Sequence, residues 1–151
     1  WDTICNDIEP TTLYHYEELH MGGKTFSIWD FSGDVEVKEV PLYIARHIDV
    51  TAVVFVINTL EHTDADRREI INRIQSMYRD HTFSNSLFAV LFNQIGRKCS
   101  SQGMEDYLKR RLPDSNNFPF FTVNTLLGTQ DVGWLKLLEM INIHYKTTLH
   151  G

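Results

Sequence analysis

Cysteine is almost missing from this chain. The 151 residues contain two, Cys5 and Cys99. Thiols so far apart in sequence make no disulfide framework, which points to a reducing compartment and a cytoplasmic setting. Positive charge is short as well: 14 Lys and Arg stand against 20 Asp and Glu, a net charge of −6 at pH 7. Binding nucleic acid requires a basic patch that neutralises phosphates, so nucleic acid is not an expected partner. The one tight basic cluster, Lys109-Arg110-Arg111, reads as a solvated helix end. No apolar run approaches the roughly 18 residues of a membrane span, and no signal-peptide pattern opens the chain. The histidines show neither H-x-x-x-H nor a Cys/His ligand spacing, which argues against zinc. No G-x-S-x-G supplies a nucleophile. Glu17 and Glu18 are adjacent in a strand pattern, point to opposite faces and cannot act as an acid/base pair.

What remains is an ordinary globular composition, 42% apolar and 23% charged, long enough for one domain with a real core. The first residue is Trp1 rather than Met, so the natural start is expected to lie upstream. Residues 1–11 are polar and irregular, and Pro10 biases Glu9 toward extended backbone. Leu13–Leu19 reads as a strand, Met21–Thr25 as a turn, and Thr25–Gly33 as a second strand in which Phe26, Ile28 and Phe31 interleave with Thr25, Ser27 and Asp30, making a hairpin. Residues 34–47 read as an irregular helix disturbed at Pro41. Ala52–Ile57 is a continuous β-branched apolar run, the signature of a strand covered on both faces. Asp64–Tyr78 is a helix with Ile70, Ile71, Ile74, Met77 and Tyr78 on one side and acids at its start. Ser86–Phe92 is a buried strand, Gln102–Leu112 a helix stopped before Pro113, Phe118–Val123 a strand, and 131–145 a helix with Trp134, Leu138, Ile141 and Tyr145 on one stripe. Strands alternating with helices predict an α/β fold: a mostly parallel sheet with an antiparallel hairpin and helices on both faces.

The second strand ends in Asp30-Phe31-Ser32-Gly33, a D-x-x-G at the carboxyl end of a strand, where open α/β sheets place their ligands. A carboxylate there suits Mg²⁺ through water, and a glycine admits a phosphate oxygen close to the backbone. The surrounding order of motifs resembles a small GTPase of the P-loop NTPase class, above all the Arf and Arf-like branch. Pro10-Thr11, then Tyr14–Glu18, a turn, and Phe26–Gly33 are similar to the Arf pattern from switch I through the interswitch hairpin to switch II. Pro41-Leu42-Tyr43 resembles the Pro-Leu-Trp of switch II, and Arg68–Ile71 resembles Arg-Glu-Glu-Leu in the next helix. Leu91-Phe92-Asn93 sits where the strand before N-K-x-D ends, and Thr122–Thr125 at the second guanine-contacting loop. Trp-Asp-Phe-Ser-Gly also resembles the Roc-type GTPase domain, the runner-up.

The resemblance implies binding of GTP or GDP with Mg²⁺. Thr11 and Asp30 would be the metal residues, and Thr11, Asp30, Gly33, Asn93, Asn124 and Thr125 would line the nucleotide. It also implies a protein partner on the interswitch hairpin and switch II. Membrane contact, peripheral only, would come through an N-terminal segment absent from these residues. The departures qualify this. No G-x-x-x-x-G-K-[ST] occurs; Gly23-Lys24-Thr25 is a decoy, because Glu18 stands where the first glycine belongs. Only ten residues precede Thr11, so the single domain is expected to lack its N-terminal strand, phosphate loop and first helix, or to carry them upstream. Asp34 replaces the glutamine that orients water, leaving no catalytic residue. Gly96 replaces the guanine-binding aspartate, and Asn124 stands where a small alanine is usual and is expected to crowd the base pocket. The expected function is a degenerate Arf-like domain acting as a binding or structural subunit, with weak or no hydrolysis. The alternatives are an active switch with an upstream phosphate loop, and a non-nucleotide interaction module of a larger assembly.

Overall fold

The structure is a computed structural model and describes residues 9–59, 62–94 and 101–149. The chain divides into two compact units, Trp1–Ile48 and Asp49–Gly151.

In the first unit β1 (Tyr14–Met21) pairs antiparallel with β2 (Lys24–Phe31), from Tyr14 opposite Phe31 to Met21 opposite Lys24. Gly22 and Gly23 form the turn at φ +60° and +73°. Two successive positive φ values match the twist of a two-residue hairpin, and only glycine adopts both without a steric cost. The register places Tyr14, Tyr16, Glu18 and His20 on one face with Phe31, Trp29, Ser27 and Thr25. The reading of 34–47 as one irregular helix disturbed at Pro41 is corrected. A 3₁₀ turn spans Val35–Val37, and a separate helix α1 spans Val40–Ala45 with Pro41 in its first turn. A proline there loses no hydrogen bond, because the first N–H groups of a helix have no intrahelical partner.

The second unit runs β3 (Ala52–Asn58), α2 (Asp64–Arg79), β4 (Leu87–Asn93), α3 (Gln102–Arg111), β5 (Phe120–Val123) and α4 (Val132–Leu149). The three strands form a parallel sheet in the order β3-β4-β5. β4 is central, and Phe88, Ala89, Val90, Leu91 and Phe92 are all buried. On one face Ala89 and Leu91 join Val123 and Leu137 of α4, with Trp134 and Ile141 packed against them. On the other, Phe88 meets Tyr78 and Phe118 edge-on, and Phe92 stacks on Phe120 at 6.2 Å. Helix-bearing cover on both faces is therefore satisfied at β4. β3 differs from its reading as a doubly covered strand. Val53 and Ile57 are buried but Val56 is 58% exposed. β3 is the edge of this sheet and pairs only with β4 among the described residues, so a β-branched apolar run does not here mean central burial. β5 begins at Phe120 rather than Phe118, after the Pro119 carbonyl accepts from Val90 N at 3.0 Å. Tyr145 continues the stripe of Trp134, Leu138 and Ile141 at helical spacing but stands half exposed.

α2 starts on a capping box that the acids alone did not reveal. Thr63 Oγ1 accepts from Asp66 N, and the Asp66 carboxylate accepts from Thr63 N at 2.8 Å, satisfying two orphan donors reciprocally. These bonds hold the Asp66 carboxyl below its ordinary range, through the Thr63 side chain first and the Thr63 backbone second, with His62 assisting against slight desolvation. A depressed folded pKa gives stability that is present above the unfolded value, about 3.9, and is lost as pH falls through the folded one. Thr63→Ala is expected to cost about 1 kcal/mol at pH 7. In urea titrations the difference from wild type should shrink below about pH 4.

α4 lies so close to β5 that a Cβ at Gly133 would collide with the Thr122 carbonyl oxygen, a backbone atom that cannot step aside. Gly133→Ala is expected to destabilise by about 1–3 kcal/mol. Gly103→Ala, whose Cβ meets nothing, should leave stability unchanged or raise it by up to about 1 kcal/mol. Denaturant midpoints of the two variants provide the check.

Candidate functional site

In the first unit the chain entering β1 and the end of β2 lie side by side. Ser32 N donates to the Leu13 carbonyl at 3.1 Å, continuing the hairpin ladder past Phe31. This brings Thr11 to Asp30, 19 residues apart, and the Thr11 hydroxyl donates to Asp30 Oδ2 at 2.7 Å. Asp30 is exposed. Two hard oxygens meet here, one hydroxyl and one carboxylate, the ligand type Mg²⁺ prefers while keeping several waters. They fit the protein's share of such an ion, with phosphate and water supplying the rest. Thr11 and Asp30 would hold the ion, whose charge would neutralise the phosphates. A Cβ at Gly33 meets nothing within 4 Å, so nothing within that distance makes a glycine necessary there. Asp34 is turned to the backbone: its Oδ1 accepts from Glu36 N at 2.9 Å, capping the 3₁₀ turn, while its own N donates to Ser32 Oγ at 3.1 Å.

In the second unit the carboxyl ends of β4 and β5 are tied together by Gln94 N donating to the Val123 carbonyl at 2.8 Å. The Asn93 carbonyl accepts from both the N–H and the hydroxyl of Thr59, each at 3.3 Å. Asn93 thus links the loop after β3 to the end of β4 through its backbone. Its side-chain Oδ1 is buried with no partner among the described residues. Asn124 caps the 3₁₀ segment Thr125–Gln130, its Oδ1 accepting from Leu126 N at 3.1 Å. Thr125 is exposed at the start of that segment. Gly96, expected to stand in place of the guanine-binding aspartate, lies outside the described residues.

Asp131 organises this end of the unit and escaped the sequence reading. It is 7% exposed; Oδ2 accepts from Asn124 N at 3.1 Å and Oδ1 from Trp134 N at 2.9 Å. One carboxylate therefore fixes the β5 loop and caps α4. The signal was present as an aspartate three residues before an apolar helical run. Each of its oxygens is engaged by a backbone donor. No group of three or more His, Cys, Asp or Glu side chains is positioned for a metal among the described residues.

The second unit carries Asn93 and Asn124 at the carboxyl rim of a parallel sheet, and the first a hairpin that joins Thr11 to the D-x-x-G aspartate; each is a feature of the small-GTPase fold. The model of the ADP-ribosylation factor family matches residues 2–120, running across the boundary between the two units. The chain belongs to that family, and the Roc-type alternative is set aside. Among solved structures the chain is similar to the Arl6 (BBS3) small GTPase from Trypanosoma brucei with the bound nucleotide analogue GppNp. Sequence identity is 20%, coverage is 93% of this chain and 86% of that one, and the TM-score is 0.70, a likeness of fold. A comparison with curated proteins finds no match.

Asp131→Ala removes a helix cap worth about 1 kcal/mol. It also strands the Asn124 N–H, at about 1–3 kcal/mol. The expected loss of stability in urea is roughly 2–4 kcal/mol, against less than about 1 kcal/mol for Asn124→Ala, which leaves the Asp131 bonds in place.

Proposed function

We propose that this Arf-family domain acts as a protein-binding subunit with weak or no GTP hydrolysis, working in the cytoplasm. The observation that carries the reading is the aromatic face of the hairpin. Trp29 lies 5.6 Å from Tyr14 and 5.0 Å from Tyr16, ring centroid to ring centroid. Tyr14 and Tyr16 remain 47% and 43% exposed. Clustered aromatics with polar tips are the usual anchors of protein interfaces. On the same face, the Tyr16 hydroxyl donates to Glu18 Oε1 at 2.9 Å and His20 meets Thr25 at 2.9 Å, a polar border to the aromatic centre. In the switch II region Tyr43 is 67% exposed and belongs to the same proposed docking function. Asp34 supports the loss of hydrolysis. An ionised carboxylate donates no hydrogen bond to an attacking water, and this one is held by Glu36 N.

A GTP-binding switch is the second reading, favoured by the 2.7 Å contact of Thr11 with Asp30. Filter retention of labelled GTP by the full-length protein with Mg²⁺ separates the two. The binding-subunit reading expects retention no greater than that of the Asp30→Ala protein. Retention followed by release of GDP would replace it with the switch reading. In that case Asp34→Gln should speed single-turnover hydrolysis by about tenfold or more, the effect of roughly 1.4 kcal/mol of added transition-state stabilisation. The docking face is checked separately: a partner co-purifying in stoichiometric amount should be lost with Tyr14→Ser plus Tyr16→Ser.

A further inference from the structure

The basic run Lys109-Arg110-Arg111 is more than a solvated helix end. Lys109 is engaged, with Nζ 2.6 Å from Glu105 Oε1 and 5.2 Å from the centre of the Phe120 ring. Arg111 instead turns back one helical step, and its guanidinium carbon lies 5.7 Å from the centre of the Tyr107 ring. Arg67 of α2 approaches the same ring at 5.5 Å. Cation–π contacts of this kind pin an aromatic ring between neighbouring elements, and here they join α2 to α3. Beside this junction is a shallow cavity of about 250 Å³ lined by Arg68, Ile71 and Asn72 of α2 and Tyr107 and Arg111 of α3.

The lining is one-sided in its chemistry. Arg68, Ile71 and Asn72 are spaced i, i+3, i+4, and Tyr107 and Arg111 are spaced i, i+4, so each helix presents one face to the cavity. Two guanidinium groups, an amide and a phenol contribute hydrogen-bond donors over an apolar floor of Ile71 and the Tyr107 ring. No carboxylate lines it. Among the described residues, neither Arg68 nor Arg111 belongs to any ion pair. In a chain of net charge −6, two arginines sharing an acid-free hollow stand out against the general balance. Guanidinium groups bind phosphate and carboxylate in a bidentate fork, and two of them match a phosphate monoester, which carries about −1.5 to −2 charge at pH 7. The hollow is below the roughly 300–1,000 Å³ of a whole small-molecule site. It therefore suits one charged head presented by something larger.

We propose that the α2–α3 hollow binds a phosphoserine or phosphothreonine side chain of a partner protein through Arg68 and Arg111. The alternative source of the same head group, an anionic bilayer, is disfavoured because a chain of net charge −6 is repelled by a negative membrane surface. The site is built from α2 and α3 alone, and the proposal does not depend on whether nucleotide binds.

The test is a ¹⁵N-NMR titration of the full-length protein with N-acetyl-phosphoserine-methylamide. Inorganic phosphate, the unphosphorylated serine compound and phosphatidylserine vesicles are added in parallel. The expected result is saturable shifts confined to amides around Arg68, Asn72, Tyr107 and Arg111, with none from the serine compound and no vesicle binding. Arg68→Ala and Arg111→Ala should each weaken affinity by about tenfold or more. Arg111→Lys, which keeps charge and fold but loses the planar fork, should weaken it measurably, and Arg110→Ala should not. Shifts that survive both alanine variants, shifts scattered over other surfaces, no shift at all, or binding to vesicles without binding of the phosphoserine compound would each overturn the proposal.

Discussion

The structure of the second unit depends on one requirement: five consecutive apolar side chains of β4 must leave water on both faces at once. Alternate residues of a strand point to opposite sides, so Ala89 and Leu91 need one cover while Phe88, Val90 and Phe92 need another. Parallel pairing on both edges answers the backbone, with Ala52 to Asn58 on one side and Phe120 to Val123 on the other. Parallel neighbours cannot be joined by a tight turn and need crossovers of a dozen residues or more. Those crossovers are α2 and α3, and α2 supplies Tyr78 against Phe88 while α4 supplies Leu137. The polar loops are consequently pushed to the strand ends. Asn93 is the first polar side chain after the apolar run, and the sheet leaves it at the carboxyl rim.

The same requirement explains what was legible in the sequence. Every strand and every α-helix was readable in kind, because period and length carry that information locally. The start of α2 at Asp64 stands as read, the end of α3 moved by one residue at Leu112, and α4 runs four residues past Tyr145 to Leu149. Misreadings fell where a side chain's fate depends on distant partners. The run Ala52–Ile57 looks as buried as β4 by composition, yet Val56 is exposed, and β3 pairs only with β4 among the described residues. Edge or centre is set by strand order, which no local pattern encodes. Pro41 looked like an interruption, and its place in the first turn of α1 made it compatible with the helix. Of the candidate site, the Thr11–Asp30 contact was suggested by motif order alone. The buried bonds of Asp131 were missed because an aspartate before a helix reads only as a cap, and its second role needs the β5 loop to be nearby.

The polar residues at the strand ends divide into two physical kinds. Asp34, Asn124 and Asp131 accept from backbone N–H groups within seven residues. Short side chains with an acceptor do this wherever a turn or helix starts, and the gain is structural. Sequence alone cannot separate such residues from ligand-binding ones, since Asp and Asn are preferred for both tasks. Asp34 illustrates the point: its carboxylate accepts from Glu36 N and caps the 3₁₀ turn.

Thr11 with Asp30 is the other kind. The contact joins two side chains 19 residues apart, and Asp30 is exposed. A hydrogen bond so open to water adds little net stability, because each partner exchanges a bond with solvent for one with the other. It satisfies no backbone group and covers no apolar surface, so neither capping nor burial accounts for it. The Asn93 side chain is the converse case, a buried acceptor oxygen with no partner among the described residues, and leaving such an atom unpaired costs about 1–3 kcal/mol. One is a contact with little structural return, the other a cost that nothing among the described residues compensates. Both stand at positions that the order of motifs in the sequence marks as nucleotide and metal candidates, whereas the residues with ordinary structural explanations include Asp34.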